Sequence, residues 1–269
     1  MSWSTPDPAW QARAVRVTVL GCSGSVTGPD SPASGYLVTA SGAPPLVLDF
    51  GNGVLGSLQR HADPNSVHVL LSHLHADHCI DLPSLFVWRR YHPIPAVGKA
   101  LMYGPSDTWA RLAQASSPFG GELDDFSDIF EVRHWVDGEE VEFGSLRVLP
   151  RAVAHPTEAY GMRITDASGA VLVFSGDTGV CDSIVDLAQG ADAFLCEASW
   201  THAPGERPEH LHLSGTEAGQ IAQRAGVGEL LLTHIPPWTS REDVITEAKA
   251  EFHGPVRAVV CQETIDITH

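Results

Sequence analysis

Ser72-His73-Leu74-His75-Ala76-Asp77-His78 places three imidazoles and a carboxylate within six positions, where the apolar run Val67 to Leu71 ends. Imidazole nitrogen and carboxylate oxygen are the donors that hold zinc and similar divalent ions at catalytic centres. A strand end needs no such cluster for packing, so the spacing His-x-His-x-Asp-His points to metal. Further donors occur in the same setting. His155 comes after the apolar strand Leu146 to Leu149, Asp177 after Ala170 to Phe174, and His234 after Leu230-Leu231-Leu232-Thr233. Each lies at or beyond the end of a short hydrophobic strand, where a rigid backbone can aim a ligand.

The elements that must position these donors alternate between strand and helix, which indicates layered α/β structure. Strands are expected over 15–20, over 36–39 and 46–49 as a hairpin, and over 67–71, with His73 to His78 in the loop that follows. A second half begins near Leu146, with strands over 146–153, 160–165, 170–174 and 192–196 and a turn at Asp166-Ala167-Ser168-Gly169. Helical character runs over 53–61, over 80–91 with a start near Pro83, and over 106–115, 182–189, 215–225 and 241–251. Ser214 is placed to cap the helix over 215–225. Residues 116–128, with Pro118, Gly120, Gly121 and several acids, read as a loop: a lid over the site or a plain surface excursion. Gly21-Cys22-Ser23-Gly24-Ser25 lacks the Lys-Ser/Thr of a triphosphate loop and the third glycine of a dinucleotide fingerprint, so a tight turn lining the site is expected.

Composition narrows the function. At 43% hydrophobic and 18% charged, the chain has the balance of a soluble enzyme, and no apolar run is long enough to span a bilayer. Residues 1–13 carry no basic or apolar leader and read as a flexible tail, with 14–269 as one domain and the cytoplasm as the expected location. Cys22, Cys79, Cys181, Cys196 and Cys261 form no Cys-x-x-Cys and read as packed, reduced thiols, Cys79 included despite its place beside His78. The formal net charge is −17, and the 16 Lys and Arg residues do not cluster. Long nucleic acids are held through many Lys and Arg contacts to phosphate, so this balance argues against them. A small anion can still be drawn in by the local field of bound cations.

These motifs resemble the metallo-β-lactamase superfamily from Val15 to Asp266. The resemblance implies an αββα sandwich, two mixed β-sheets flanked by helices. It also implies two divalent metal ions per chain, zinc or manganese. His73, His75 and His155 would hold one and Asp77, His78 and His234 the other, with Asp177 bridging. Two closely spaced cations activate water and stabilise both attacking and leaving oxygens in phosphoryl displacement. Asp77 would also orient the attacking water.

Further motifs refine the resemblance. Leu195-Cys196-Glu197-Ala198-Ser199, His210-Leu211-His212-Leu213-Ser214-Gly215-Thr216 and Leu232-Thr233-His234-Ile235-Pro236-Pro237 are similar to those of the ribonuclease Z group. There the acid matching Glu197 pairs with the histidine matching His212 beside the scissile phosphate, so Glu197 and His212 join Asp77 as catalytic candidates. The alternative for His212 is a solvent-facing residue at a helix start. The long basic arm that grips tRNA in that group is missing. Together with Thr18 to Ser25, Leu70 to His78 and Pro236-Pro237-Trp238, the chain resembles actinobacterial atypical class II phosphodiesterases acting on cyclic AMP. The expected activity is therefore dinuclear hydrolysis of cyclic nucleotides to nucleoside monophosphates, with Trp200, Trp238 and Phe119 as candidates to stack on the base. A small cyclic nucleotide is the expected partner, and a homodimer the oligomer that relatives suggest. The alternatives are a tRNA 3′-processing endonuclease, a thioester or lactam hydrolase of the same fold, and a binding module without activity.

Overall fold

A computed structural model of the protein describes residues 15–202 and 207–269, so the tail expected over 1–13 lies outside the described residues. The central strands are apolar on both faces, and their period-2 alternation sends successive side chains to different cores. Val17 and Val19 of β1 (Val15–Gly21), Leu46 and Leu48 of β3 (Leu46–Leu48) and Leu70 of β4 (His68–Leu70) meet residues of a second sheet. The latter include Leu172 and Phe174 of β10 (Val171–Phe174), Leu195 of β11 (Ala193–Glu197) and Leu231 of β12 (Glu229–Thr233). The alternate residues face helices. Val47 and Val69 pack towards α1 (Val54–Leu58), α3 (Leu82–Tyr91) and α4 (Thr108–Ser116). Val173, Phe194 and Leu232 pack towards α5 (Asp182–Ala188), α6 (Gly215–Ala225) and α7 (Arg241–Glu251). The layers are thus α, β, β, α, as expected.

The first sheet is completed by β2 (Gly35–Thr39), β5 (Ala100–Gly104), β6 (Phe130–His134) and β14 (Thr264–Ile267), in the order β14-β1-β2-β3-β4-β5-β6. The second is completed by β7 (Val141–Phe143), β8 (Leu146–Ala152), β9 (Tyr160–Thr165) and β13 (Val256–Ala258), in the order β13-β12-β11-β10-β9-β8-β7. Both sheets mix antiparallel and parallel pairs: β1–β2 and β2–β3 are antiparallel and β3–β4 parallel, while β8–β9 and β9–β10 are antiparallel and β10–β11–β12 parallel. The C-terminal ends of β3 and β4 therefore share one edge, as do those of β8, β10, β11 and β12. The candidate donors lie at those ends, where open α/β sheets characteristically bind ligands.

Several expectations need correction. The second half starts at β7 rather than near Leu146, and β14 returns to pair with β1, so the two halves interlock. Asp77 and His78 do not lie in a loop: Ala76–Cys79 closes one helical turn, α2, with His75 at its N-cap. The strand expected over 67–71 is ordered as a ladder only over His68–Leu70. Helix α6 runs over 215–225 as expected, and Ser214 caps it with Glu217 completing a capping box. Within 116–128, Arg90 pairs with Asp124 at 2.9 Å and Asp128 at 3.0 Å, which fastens the second part of the segment to α3.

Candidate metal centre

The structure brings all seven expected donors to one edge of the sandwich. Donor atoms of His73, His75, His155 and Asp177 lie within 4.8 Å of one another, as do those of Asp77, His78, Asp177 and His234. Asp177 belongs to both groups. Ligands about 2.0–2.2 Å from a zinc ion lie within roughly 4.4 Å of each other, so each group comes within a few tenths of an ångström of the spread that one ion requires. Nitrogen faces nitrogen across the site: His75 Nδ1 is 3.3 Å from His155 Nε2, and His78 Nε2 is 3.1 Å from His234 Nε2. Among the seven donors, two atoms are buried without a hydrogen-bond partner, His73 Nε2 and Asp177 Oδ1. An orphaned buried polar atom costs about 1–3 kcal/mol, and both orphans point into this site. The donor chemistry and the orphans fit divalent cations.

Hydrogen bonds behind the rings set their tautomers. His78 Nδ1 donates to Asp49 at 2.7 Å, His73 Nδ1 to Ser72 Oγ at 3.0 Å, His155 Nδ1 to the Leu211 carbonyl at 3.1 Å, and His234 Nδ1 to Ser199 Oγ at 2.9 Å. With Nδ1–H committed outward, each Nε2 is the nitrogen left facing the site, the arrangement that metal-binding histidines need, and at His78 an arriving ion would displace the proton that the carboxylates hold there. Asp49 is the organising residue that the sequence reading missed. Fully buried, it accepts from Ser72 N and Ser72 Oγ at 2.7 Å each and from His78, joining both ligand groups. Its signal was available, since it is a carboxylate at the end of a strand, β3, like the donors themselves. Asp49→Asn should keep the fold yet weaken binding of the ion held by His78 about 10–100-fold. A competitive chelator titration measures this, and wild-type affinity in that variant would remove Asp49 from the site.

Charge is arranged to match. Burial lowers the pKa of His73 well below its usual value, lowers His75, and brings His155 down to about 4, so these rings present lone pairs at neutral pH. Burial opposes a charged His78, but Asp177 and Asp49 outweigh it and raise its pKa well above the ordinary range. Burial likewise opposes a charged Asp77, yet hydrogen bonds from His234 and His78 hold its carboxyl well below its usual value. Asp177 is held ionised against burial by His234, His78 and His73.

Beside the ligands, His212 Nδ1 meets Glu197 Oε1 at 3.1 Å and lies 3.8 Å from Asp177. Glu197 ends β11 and is itself held, accepting from Thr178 N at 2.9 Å and Ser199 Oγ at 3.0 Å. Burial disfavours a charged His212, but the Glu197 carboxylate with its hydrogen bond, and then Asp177, lift its pKa to about 9. Of the aromatic candidates, Trp200 stands edge-on to His212 with ring centroids 5.3 Å apart, whereas Trp238 and Phe119 are exposed. The glycine turn does line the site: Ser25 N lies 3.4 Å from His234 Nε2. A Cβ on Gly24 would come within 2.2 Å of the His234 carbonyl oxygen, so only glycine fits there. Cys79 is buried with its thiol turned to the Leu74 carbonyl, away from the donor clusters.

Residues 46–235 match the family described as a β-lactamase superfamily domain. An uncharacterized protein of Mycobacterium leprae is 76% identical over 253 residues, covering 94% of this chain and 89% of that protein. Ribonuclease Z of Mycobacterium bovis is 31% identical over 247 residues, covering 83% of this chain and 86% of its own length. The crystal structure of the metallo-β-lactamase fold protein YhfI from Bacillus subtilis aligns with a TM-score of 0.83 at 27% identity, over 94% of this chain and 99% of that one. On this evidence the chain belongs to the metallo-β-lactamase superfamily, as a metallo-hydrolase with ribonuclease Z-like and YhfI-like relatives.

Proposed function

We propose that the protein is a two-metal phosphodiesterase that opens cyclic nucleotides, cyclic AMP foremost, to nucleoside monophosphates. The observation that carries this reading is the Glu197–His212 pair at 3.1 Å beside the ligand clusters. A ribose alkoxide is a poor leaving group and needs a proton in the transition state, whereas a thiolate, with a pKa near about 8.5, leaves with little help. An acid set beside the metal ligands is therefore worth most for an alcohol leaving group. The net charge of −17 opposes a long RNA, which favours a compact diester over precursor tRNA. The tRNA reading rests on the ribonuclease Z relative and lacks a gripping surface in the sequence.

His73, His75 and His155 would hold one ion and Asp77, His78 and His234 the other, with Asp177 shared. The ions would supply Lewis acidity, lowering the pKa of water and offsetting charge on the phosphoryl oxygens. Asp77, 14% exposed at its side chain, faces the opening and orients the attacking water. Water oxygen bonds to phosphorus and sheds a proton to solvent while one ribose ester bond breaks. His212 gives its proton from Nε2 to the departing oxygen, since Nδ1 is engaged by Glu197. Glu197, buried and doubly supported, keeps the ring aimed and favours its charged form.

The test is turnover by the metal-loaded protein of 3′,5′-cyclic AMP, a 2′,3′-cyclic nucleotide, a precursor tRNA and a thioester. Cyclic nucleotide hydrolysis should dominate and stop on chelation. Efficient tRNA cleavage with inert cyclic nucleotides would reverse the ranking.

A further inference from the structure

Beyond His212 the structure holds a cavity of about 470 Å³ that the metal ligands leave unused. That lies within the roughly 300–1,000 Å³ of small-molecule sites. Val180, Trp200, Arg207, Glu209, His212 and Glu217 are among its walls. It is a built cavity. Trp200 N donates to the Leu213 carbonyl at 3.2 Å and Gly215 N to the Trp200 carbonyl at 3.1 Å, which fixes the Trp200 backbone at the start of α6. Elsewhere in the lining Gly179 lies so close to His210 that a Cβ there would come 2.5 Å from His210 Cα. Arg207 places its guanidinium 5.6 Å above the Trp200 ring and forks onto Glu217, both contacts at 3.2 Å. Glu217 is anchored in turn by Ser214 N at 2.8 Å, in the helix cap.

His212 is the wall shared by this cavity and the metal clusters. The oxygen that takes its proton must sit against the open side of the ring, so the group carrying that oxygen extends into the cavity. Charge decides what that group can be. Arg207 is neutralised by Glu217, and Glu209 adds an exposed carboxylate. Among the described walls the Arg207 guanidinium is paired with Glu217 and the His212 ring with Glu197, so neither is left free to receive a further phosphate, which an RNA chain would bring. Trp200 with its stacked guanidinium offers a flat surface instead, and half-exposed Val180 an apolar one. Aromatic faces hold bases through stacking, with little regard for sequence.

Building on the phosphodiesterase reading above, we propose that this cavity receives the neutral nucleoside part of the substrate, with Trp200 and Arg207 as its specificity-determining residues. The probe is adenosine, which has no phosphate for the metal clusters. Equilibrium dialysis of labelled adenosine against metal-free and metal-loaded protein should show saturable binding to one site in both forms. Trp200→Leu should weaken it about tenfold or more, as loss of a stacking partner does. Arg207→Gln should weaken it less, because Glu217 keeps a hydrogen-bonding neighbour, and Val180→Trp should block it by filling the cavity. Circular dichroism and bound metal report that each variant is folded. In turnover, Trp200→Leu should raise the KM for cyclic AMP more than it lowers kcat. Failure of the wild type to bind adenosine in either form would overturn the proposal. So would equal binding by wild type and all three variants, or displacement of adenosine by an RNA trinucleotide at equal concentration. Adenosine binding that responds to these variants, in a protein that leaves cyclic nucleotides intact, would uphold the subsite and reject the phosphodiesterase reading.

Discussion

Asp177→Ala is expected to strip metal from both clusters and abolish turnover. Its carboxylate is buried and approaches His73 at 3.6 Å, His78 at 3.2 Å and His234 at 3.5 Å, so it serves the two ligand groups at once. Among the described residues, Asp177 is the one donor common to the two four-membered ligand groups. Removing it also leaves His78 with Asp49 as its remaining buried counter-charge on that side. Loss of Lewis acidity worth several kcal/mol corresponds to a fall in rate of about 10³-fold or more. Metal analysis of the purified variant, with circular dichroism as a control for folding, measures the effect. Near-normal metal content at both sites would show that Asp177 does not bridge.

His212→Ala separates chemistry from metal binding. His212 is outside the seven donors, so the variant should retain its ions while kcat falls about 10²–10⁴-fold, the usual contribution of a positioned acid. Glu197→Gln should act in the same direction and more mildly, because the amide still offers an oxygen to Nδ1 and keeps the ring in place. The double variant should fall well short of the product of the single losses, since the two residues act as a unit. Single-turnover cleavage with metal content checked in every variant is the measurement. Wild-type chemistry in His212→Ala would make it a residue at a helix start and nothing more.

The candidate site was legible because each donor follows a buried strand. Leu70, Phe174 and Leu232 belong to runs that are apolar on both faces, so the strand ends stand out and the polar residues after them need a reason. What escaped the sequence lies mostly at the sheet margins. Strands β6, β7, β13 and β14 are the four outer strands, and β5 adjoins one of them. Edge strands are buried on fewer sides and carry charge, as Glu131 and Arg133 in β6 and Asp266 in β14 do, so they lack the continuous apolar signature. Asp49 escaped for a different reason. Its role comes from Ser72 and His78, which sequence spacing alone does not place beside it. The cavity beside Trp200 depends on a segment folding back to the start of α6, and no local pattern announces that contact.

The most direct measurement of the central claim is a metal titration of the metal-free protein, following bound ion and cyclic AMP hydrolysis in the same samples. The two-metal phosphodiesterase account predicts conversion of cyclic AMP to AMP that rises to its plateau as the second equivalent of zinc or manganese binds. A plateau reached at one equivalent would contradict the dinuclear mechanism. Inert cyclic AMP at full loading, in a protein that cleaves precursor tRNA or a thioester, would contradict the substrate.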